Sequence, residues 1–562
     1  MANVQKRIGV LFAVFFGLLV IAAGRTLYLG VLHSGALRRD ANTQQVTIEE
    51  VPAPRGTITD RHGTVLAISE PADDVSVDPY LVKADPYLTK GLLGAAEELA
   101  PLVGSSQATV LRDLNEQSGF VYLAKGLPAA RAKAVMALKI PGVSGTPTMR
   151  LVYPRDTLAA QALGMMGENG GLSGLEYADN TILQGRAGER RVVSDAHGQP
   201  ISISDVHREV PGAQLKLTVD ANIQQRTEAV LSAVGKVFHP KDATAIVMQP
   251  DSGAILAMAS WPQLSLNDPP TSKAALEAAL ENRAVSFNYE PGSTFKVVAV
   301  SGALQKGLIT PNTEFDIPDQ IQVANRTIHD AEEHPDEMLS TAQILAQSSN
   351  VGAITIGKLE GENTFNEWVH KFGFGARTGV DLPGEETGKV LNPSEYSGSS
   401  MGNLPIGQGE LVTPIQMASA YAALANGGIL RTPHVVAAVN GHPTKLPRGQ
   451  RIVSASVAAQ VRQMLRGVLA PGGTASEVSV PGYTLAGKTG TASKVDPETG
   501  EYSETAYVAS FIGFAPASDP KLLCAVIVDE PQDGSIYGGT VAAPAFGQIM
   551  DFALPYLGIP PG

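Results

Sequence analysis

Residues Glu290–Lys296 read EPGSTFK, and they contain Ser-x-x-Lys as Ser293 and Lys296. Pro291 and Gly292 suit the start of a helix, and the apolar run Val297–Leu304 suits its continuation. Residues i and i+3 share a helix face, so the Lys296 amine falls within reach of the Ser293 hydroxyl. A serine hydroxyl is a weak nucleophile until a neighbour removes its proton. A lysine can remove it only when burial or a second cation lowers the lysine pKa. A helix N-terminus at Ser293 also favours developing negative charge.

Alone the motif says little. A second Ser-x-x-Lys, Ser518 to Lys521, reads as an ordinary turn, because Pro520 argues against a helix there. Further along, Ser348-Ser349-Asn350 follows the helix-like stretch Thr341–Gln347. By itself it reads as a cap or turn. Lys488-Thr489-Gly490-Thr491 follows the strand-like Tyr483–Ala486 and offers a cation, a hydroxyl and a backbone that a ligand can approach closely. Its plain reading is a basic edge strand with a glycine bulge. The three gain weight from their order along one chain.

Outward from these motifs, the C-terminal part predicts strands at both ends with helices between. Leu215–Asp220, Thr244–Met248, Ala254–Ala259, Tyr507–Phe514 and Leu522–Asp529 read as strands. Ala221–Val234, Pro414–Ala425 and Val457–Leu469 read as helices. That pattern gives an α+β domain. Before it, Pro54–Ser69 reads as a hairpin turning at Asp60-Arg61-His62-Gly63.

The chain has 562 residues, enough for several units, and 44% are hydrophobic. A net charge of −13 does not suggest nucleic-acid binding, which usually needs a basic face. The single cysteine, Cys524, lies in the apolar run KLLCAVIVD and reads as a core thiol. His329 and His334, in IHDAEEH, do not have metal-ligand spacing and read as part of a solvated loop. Gly407 and Gly409 lack the Gly-Lys-Ser/Thr ending of a phosphate loop. Near the N-terminus, Lys6 and Arg7 precede the uncharged run Ile8–Gly24, and the apolar pattern continues to Leu32. An uncleaved membrane anchor is expected, with a signal peptide cleaved near Ala22-Ala23-Gly24 as the rival. Arg25, Arg38 and Arg39 offset Lys6 and Arg7, so charge does not fix the orientation.

The order Ser-x-x-Lys, Ser-x-Asn, Lys-Thr-Gly resembles the signature of penicillin-binding proteins and serine β-lactamases. Wider stretches are similar to the class B penicillin-binding proteins, and in particular to their division-type subgroup, the FtsI (penicillin-binding protein 3) family. These stretches are RGTITDRHG, GLSGLE, GRAGERRVVSDAHG, SSNVGAITIG, FGFGARTGVDLPGEETG, LPIGQGELVTPIQMASAYAALANGG and YGGTVAAPAFGQIM. No EDxxFxxH-like run of the glycosyltransferase-bearing class A relatives is present.

The resemblance implies a cytoplasmic tail over 1–7, a single transmembrane helix over 8–32 and an elongated, mixed, non-catalytic pedestal (dimerisation-like) domain over 40–213. A transpeptidase domain, an antiparallel sheet with helices, would fill 214–562. It also implies roles. Ser293 attacks the carbonyl between two terminal D-alanines, and Lys296 takes its proton. Ser348 relays protons to the leaving amine, while Asn350 orients the donor peptide. Lys488 supplies positive potential and Thr489 holds the terminal carboxylate. The backbone N–H groups of Ser293 and Thr491, beside Gly490, form the oxyanion hole. No cofactor or metal is implied. β-Lactams would acylate the same serine. The expected partners are peptidoglycan stem peptides, an FtsW-type glycan polymerase and other division proteins. The expected place is the inner (plasma) membrane, with the catalytic domain outside the cytoplasm.

The alternatives are an elongation-type enzyme of the same class, a D,D-carboxypeptidase or β-lactamase-like hydrolase, and a non-catalytic divisome scaffold.

Overall fold

The computed structural model describes residues 2–32, 46–85, 91–167, 169–195, 200–496 and 498–561. Arg38 and Arg39, and the end of the GRAGERRVVSDAHG stretch, lie outside them. Helix α1 (Ala2–Leu27) runs through Ala22-Ala23-Gly24 and ends in a π-helical turn, Tyr28–Leu32. It is long and apolar enough to cross a membrane. Its large side chains, such as Phe12, Phe15 and Ile21, are exposed, as a helix that faces lipid requires.

The chain divides into two compact units. The first comprises residues 1–55, 70–150 and 184–212. One part of it is a three-stranded antiparallel sheet of Val46–Val51, Gly188–Ser194 and Pro200–His207. Another part pairs Ala72–Val77 with Val121–Pro128 and packs helices Gly91–Val103, Gln107–Leu114 and Ala129–Ala137 around Val75, Leu99, Leu114 and Val135.

The second unit comprises residues 56–69, 151–183 and 213–562. It therefore takes in two segments that the sequence reading assigns to the pedestal. The hairpin at Pro54–Ser69 shows why. Gly56 lies so close to Ala213 that a Cβ would stand 1.8 Å from its carbonyl oxygen. At the turn, Asp60 accepts from His62 N and Thr64 N, both at 2.8 Å, and from Ala221 N at 3.2 Å. His62 Nε2 lies 3.0 Å from Asp220 Oδ2. The hairpin thereby holds the start of helix α2 (Ala221–Phe238). Asp220 caps that helix by accepting from Asn222 N and Ile223 N. Capping withdraws Asp220 from the strand expected over 215–220, so the strand stops at Leu217.

The centre of this unit is a five-stranded antiparallel sheet. Its strands are β1 (Asp242–Gln249), β2 (Ala254–Trp261), β3 (Ala486–Val495), β4 (Tyr502–Ala515) and β5 (Leu522–Asp529), in the order β2-β1-β5-β4-β3. Successive side chains alternate between faces. Leu523, Ala525 and Ile527 enter one core, while Cys524, Val526 and Val528 enter the other. The apolar run KLLCAVIVD is continuous because both faces are covered. On the first face lie helices α3 (Lys296–Gln305), α4 (Thr341–Gln347), α5 (Asn350–Glu360) and α6 (Pro414–Ala425), within one core. On the second face lie α2 and α7 (Ala543–Tyr556). Helix α6 has the predicted limits because Thr413 and Gln416 form a capping box before Pro414.

Glu410 is fully buried just before α6, and among the described residues neither carboxylate oxygen has a partner. Burial pushes its pKa from about 4.5 up to about 8. The folded chain holds this proton where the unfolded chain has lost it. Its contribution to stability is therefore lost as pH rises from about 4.5 through about 8. Glu410→Gln is expected to flatten the fall of the thermal midpoint across that window by several degrees, leaving a smaller slope from Glu360 and Glu228, which shift the same way. Scanning calorimetry over that range measures it. An unchanged slope would mean that Glu410 is ionised in the folded chain.

Candidate active site

Ser293 sits half-buried in a 3-10 turn, Gly292–Phe295, that leads directly into α3. The sequence reading places an α-helical start here. The turn is tighter because Gly292 takes φ +56° and donates its N–H to Gly407 O at 3.0 Å. A Cβ at Gly407 would stand 2.2 Å from Gly292 O, and one at Gly292 would stand 3.0 Å from Thr491 O. Only glycine lets the serine turn fit between β3 and the GQG loop. With three residues per 3-10 turn, Ser293 and Lys296 still fall on one side.

Lys296 is fully buried. Its Nζ donates to Ser348 O at 2.5 Å, Asn350 Oδ1 at 2.7 Å and Ser348 Oγ at 3.3 Å. Burial draws its pKa down to about 7, with Asp330 pulling the other way. An appreciable share of Lys296 is therefore a neutral amine near pH 7.

The second motif joins α4 to α5. Ser348 ends α4 in the left-handed region, with φ 65°. Ser349 caps α5 by accepting from Gly352 N at 2.9 Å. Beneath them lies Asp330. Its carboxylate accepts from Asn350 N, from Val351 N at 3.0 Å and from the Ser349 hydroxyl at 2.7 Å, and His334 Nε2 lies 3.1 Å away. Asn350 Nδ2 donates to His329 O at 2.9 Å. Ala331, Glu332 and Glu333 of the IHDAEEH stretch are solvated, as the sequence reading expects. Asp330 instead turns inward, its side chain 8% exposed, and supports the second motif.

The third motif lies on β3, the edge strand of the five-stranded sheet. The register is regular through Lys488↔Ile512, Thr489↔Phe511 and Gly490↔Ser510, without the glycine bulge that the motif's plain reading would give. Gly490 is needed for space, since a Cβ would stand 2.3 Å from Ser510 Oγ and 3.0 Å from Pro291 O. Lys488 is fully buried, and burial and then the charge of Lys296 push its pKa well below the usual lysine range. The Thr489 hydroxyl lies 2.7 Å from that of Thr474. Thr491 Oγ1 accepts from Gly538 N at 3.1 Å, which seats the YGGT stretch behind the strand.

The fold therefore gathers Ser293, Lys296, Ser348, Asn350, Lys488, Thr489, Gly490 and Thr491 in one place. Sequence reasoning missed Asp330, His334, Gly407 and Glu290. Glu290 Oε1 accepts from Gly409 N at 3.0 Å and from the Tyr502 hydroxyl at 3.3 Å, which ties β4 and the GQG loop to the serine turn. Asp330 is one of four acids in IHDAEEHPD, and no local pattern separates it from the solvated ones.

The profile described as "Penicillin binding protein transpeptidase domain" matches residues 243–551, more than half of the chain. The chain belongs to the class B penicillin-binding protein family. A second profile, "Penicillin-binding Protein dimerisation domain", matches residues 50–217. The penicillin-binding protein PbpB of Mycobacterium tuberculosis is 34% identical over 98% of this chain and 84% of its own length. The peptidoglycan D,D-transpeptidase FtsI of Escherichia coli is 30% identical over 98% of this chain and 92% of its own. A crystal structure of penicillin binding protein 3 from Mycobacterium tuberculosis complexed with aztreonam has a TM-score of 0.70 and 29% identity. The match covers 92% of this chain and 98% of that one. The chain is thus a transpeptidase of the penicillin-binding serine acyltransferase family.

His334 has an acceptor on each ring nitrogen, Pro335 O at 2.8 Å from Nδ1 and Asp330 Oδ2 at 3.1 Å from Nε2. Two acceptors require two N–H groups, and the Pro335 carbonyl and then Asp330 hold its pKa above the usual histidine range. Nitrogen NMR is expected to show both ring nitrogens protonated above the pH at which a free histidine has titrated. A neutral ring there would contradict this. Asp330→Ala leaves two backbone N–H groups and a hydroxyl unpaired, each costing about 1–3 kcal/mol. Its penicillin-binding rate is expected to fall at least tenfold. A rate within twofold of the parent would show that the second motif holds itself.

Proposed function

We propose that this chain is the septal peptidoglycan D,D-transpeptidase, acting through a Ser293 acyl-enzyme that β-lactams also form. The observation that carries the reading is the Lys296 amine, buried against the second motif with its pKa drawn down to about 7. As an ammonium it uses all its N–H groups on Ser348 and Asn350. As a neutral amine it releases one acceptor and gains the lone pair that takes the Ser293 proton.

Ser293 Oγ then attacks the carbonyl carbon between the terminal D-alanines. The backbone N–H groups of Ser293 and Thr491 receive the oxyanion, each worth about 3–4 kcal/mol of the barrier. The C–N bond breaks, the proton passes through Ser348 to the leaving D-alanine amine, and the acyl group stays on Ser293. An amine on a neighbouring strand attacks this ester, forms the new amide and returns the proton to the site. Asn350 orients the donor peptide, and Thr489 and Lys488 hold its terminal carboxylate. The carboxylate's negative charge favours the charged form of Lys488, against the burial that lowers its pKa. In a β-lactam the broken C–N bond is in the ring, so the amine remains tethered and the ester persists.

Along the chain, the proposed limits are a tail over 1–7, an anchor over 8–32, a pedestal over 40–213 and a catalytic domain over 214–562, with residues 56–69 and 151–183 of the pedestal segment packed into the compact unit of the catalytic domain. The anchor sits in the inner (plasma) membrane and the catalytic domain lies outside the cytoplasm. The pedestal and the anchor bind an FtsW-type glycan polymerase. The division role rests on FtsI being 30% identical across nearly all of this chain.

Intact-mass spectrometry after penicillin treatment tests the chemistry. One long-lived adduct is expected on the parent chain and none on Ser293→Ala. No adduct on either would remove the catalytic reading, and rapid turnover of the adduct would favour a hydrolase. Depletion tests the pathway: filamentation is expected, whereas rounding would assign the chain to elongation.

A further inference from the structure

A separate cavity of about 190 Å³ opens beside α6, lined by Arg377, Thr378, Ser419, Arg431, Arg448 and Gln450 among others. That volume is below the range of drug-sized pockets, about 300–1,000 Å³, and suits one small group. Arg377 and Arg448 are exposed, and Arg431 is half-buried. Among the described residues, no hydrogen bond or ion pair engages any of the three guanidinium groups. The chain carries a net charge of −13, so acidic partners are not scarce.

Two donors in the wall are sealed from solvent without an acceptor, Arg431 Nε and the hydroxyl of Ser419, a residue 3% exposed. A buried donor left unpaired is costly, and an acceptor brought to it removes that cost. The neighbouring polar groups are already satisfied. Gln416 Nε2 donates to Ala376 O and Thr387 O at 2.8 and 2.9 Å. The adjoining acids are held by other groups: Glu385 accepts from Thr378 N, the Thr378 hydroxyl and Gly379 N, and Asp381 accepts from Val435 N and Val436 N. Arg431 is also held in place. A Cβ at Gly449 would stand 3.2 Å from Arg431 Cγ and 2.6 Å from Ile429 Cγ2, so the arginine stem passes over a position that only glycine leaves open.

We propose that this cavity is an anion site that binds a phosphoryl group, borne by a lipid headgroup or by a soluble phosphate. Guanidinium forks pair bidentately with phosphate oxygens. Three of them supply donors in more directions than a planar carboxylate accepts. The terminal guanidinium nitrogens of Arg431 bind from the wall, Arg377 and Arg448 close over the outer oxygens, and the unpaired donors behind the wall add positive potential. The site is independent of Ser293 chemistry.

The test uses the full chain in phosphatidylcholine nanodiscs, titrated calorimetrically with inorganic phosphate and pyrophosphate. Saturable binding is expected, weakened at least tenfold in Arg431→Gln and partly restored in Arg431→Lys. Stoichiometric penicillin labelling of Ser293 in each variant shows that the unit is folded. Adding phosphatidylglycerol to the nanodiscs separates the sources. Competition with free phosphate identifies a lipid headgroup, and undiminished phosphate affinity identifies a soluble ligand. Absence of saturable binding, equal affinity in Arg431→Gln, or equal competition by chloride would overturn the proposal.

Discussion

Lys296 Nζ lies sealed from solvent at the foot of α3, and its hydrogen bonds go to Ser348 and Asn350. Among the described residues no carboxylate pairs with it directly, and Asp330 acts only through its field. An amine taken from water without a direct counter-ion becomes easier to deprotonate. That constraint explains much of the surrounding structure. The second motif must approach α3 closely enough to give the amine its acceptors. Asp330 must be near enough to hold that motif, but not so near that it locks the lysine in its charged form.

The glycines serve the same end. Gly292, Gly407 and Gly490 are places where a side chain would separate the serine turn from β3 or from the GQG loop. Glu290 adds a polar tie across the same gap by accepting from Gly409 N and Tyr502. The sheet supplies the rigid wall, with both faces buried and the third motif on its one edge near the serine. A buried Lys488 on that edge lies within electrostatic range of Lys296. Two full charges are therefore disfavoured at this site, which suits it to an anionic ligand.

Much of this was legible in the sequence, because period-two and helical patterns survive where burial is one-sided or the run is long. The limits of α6 could be read because its capping box is local. The five motif residues Ser293, Lys296, Ser348, Asn350 and Lys488 could be read because their order is distinctive. What could not be read depends on contacts distant in sequence. Gly56 matters because of Ala213, Gly407 because of Gly292, and Asp330 because of the amides at Asn350 and Val351. The strand at 215–220 was read too long because Asp220 serves a cap, a local role that competes with the ladder. Residues 56–69 join the catalytic unit through tertiary contacts that no composition shift marks.

The central claim is that Lys296 is a base near neutrality. Stopped-flow measurement of the first-order acylation rate at saturating benzylpenicillin, from about pH 5 to about pH 10, tests it directly. The rate is expected to rise about tenfold per pH unit and to level off near the pKa of about 7 that burial gives Lys296. A rate that keeps rising toward the ordinary lysine value of 10.5, or one flat across neutrality, would contradict it.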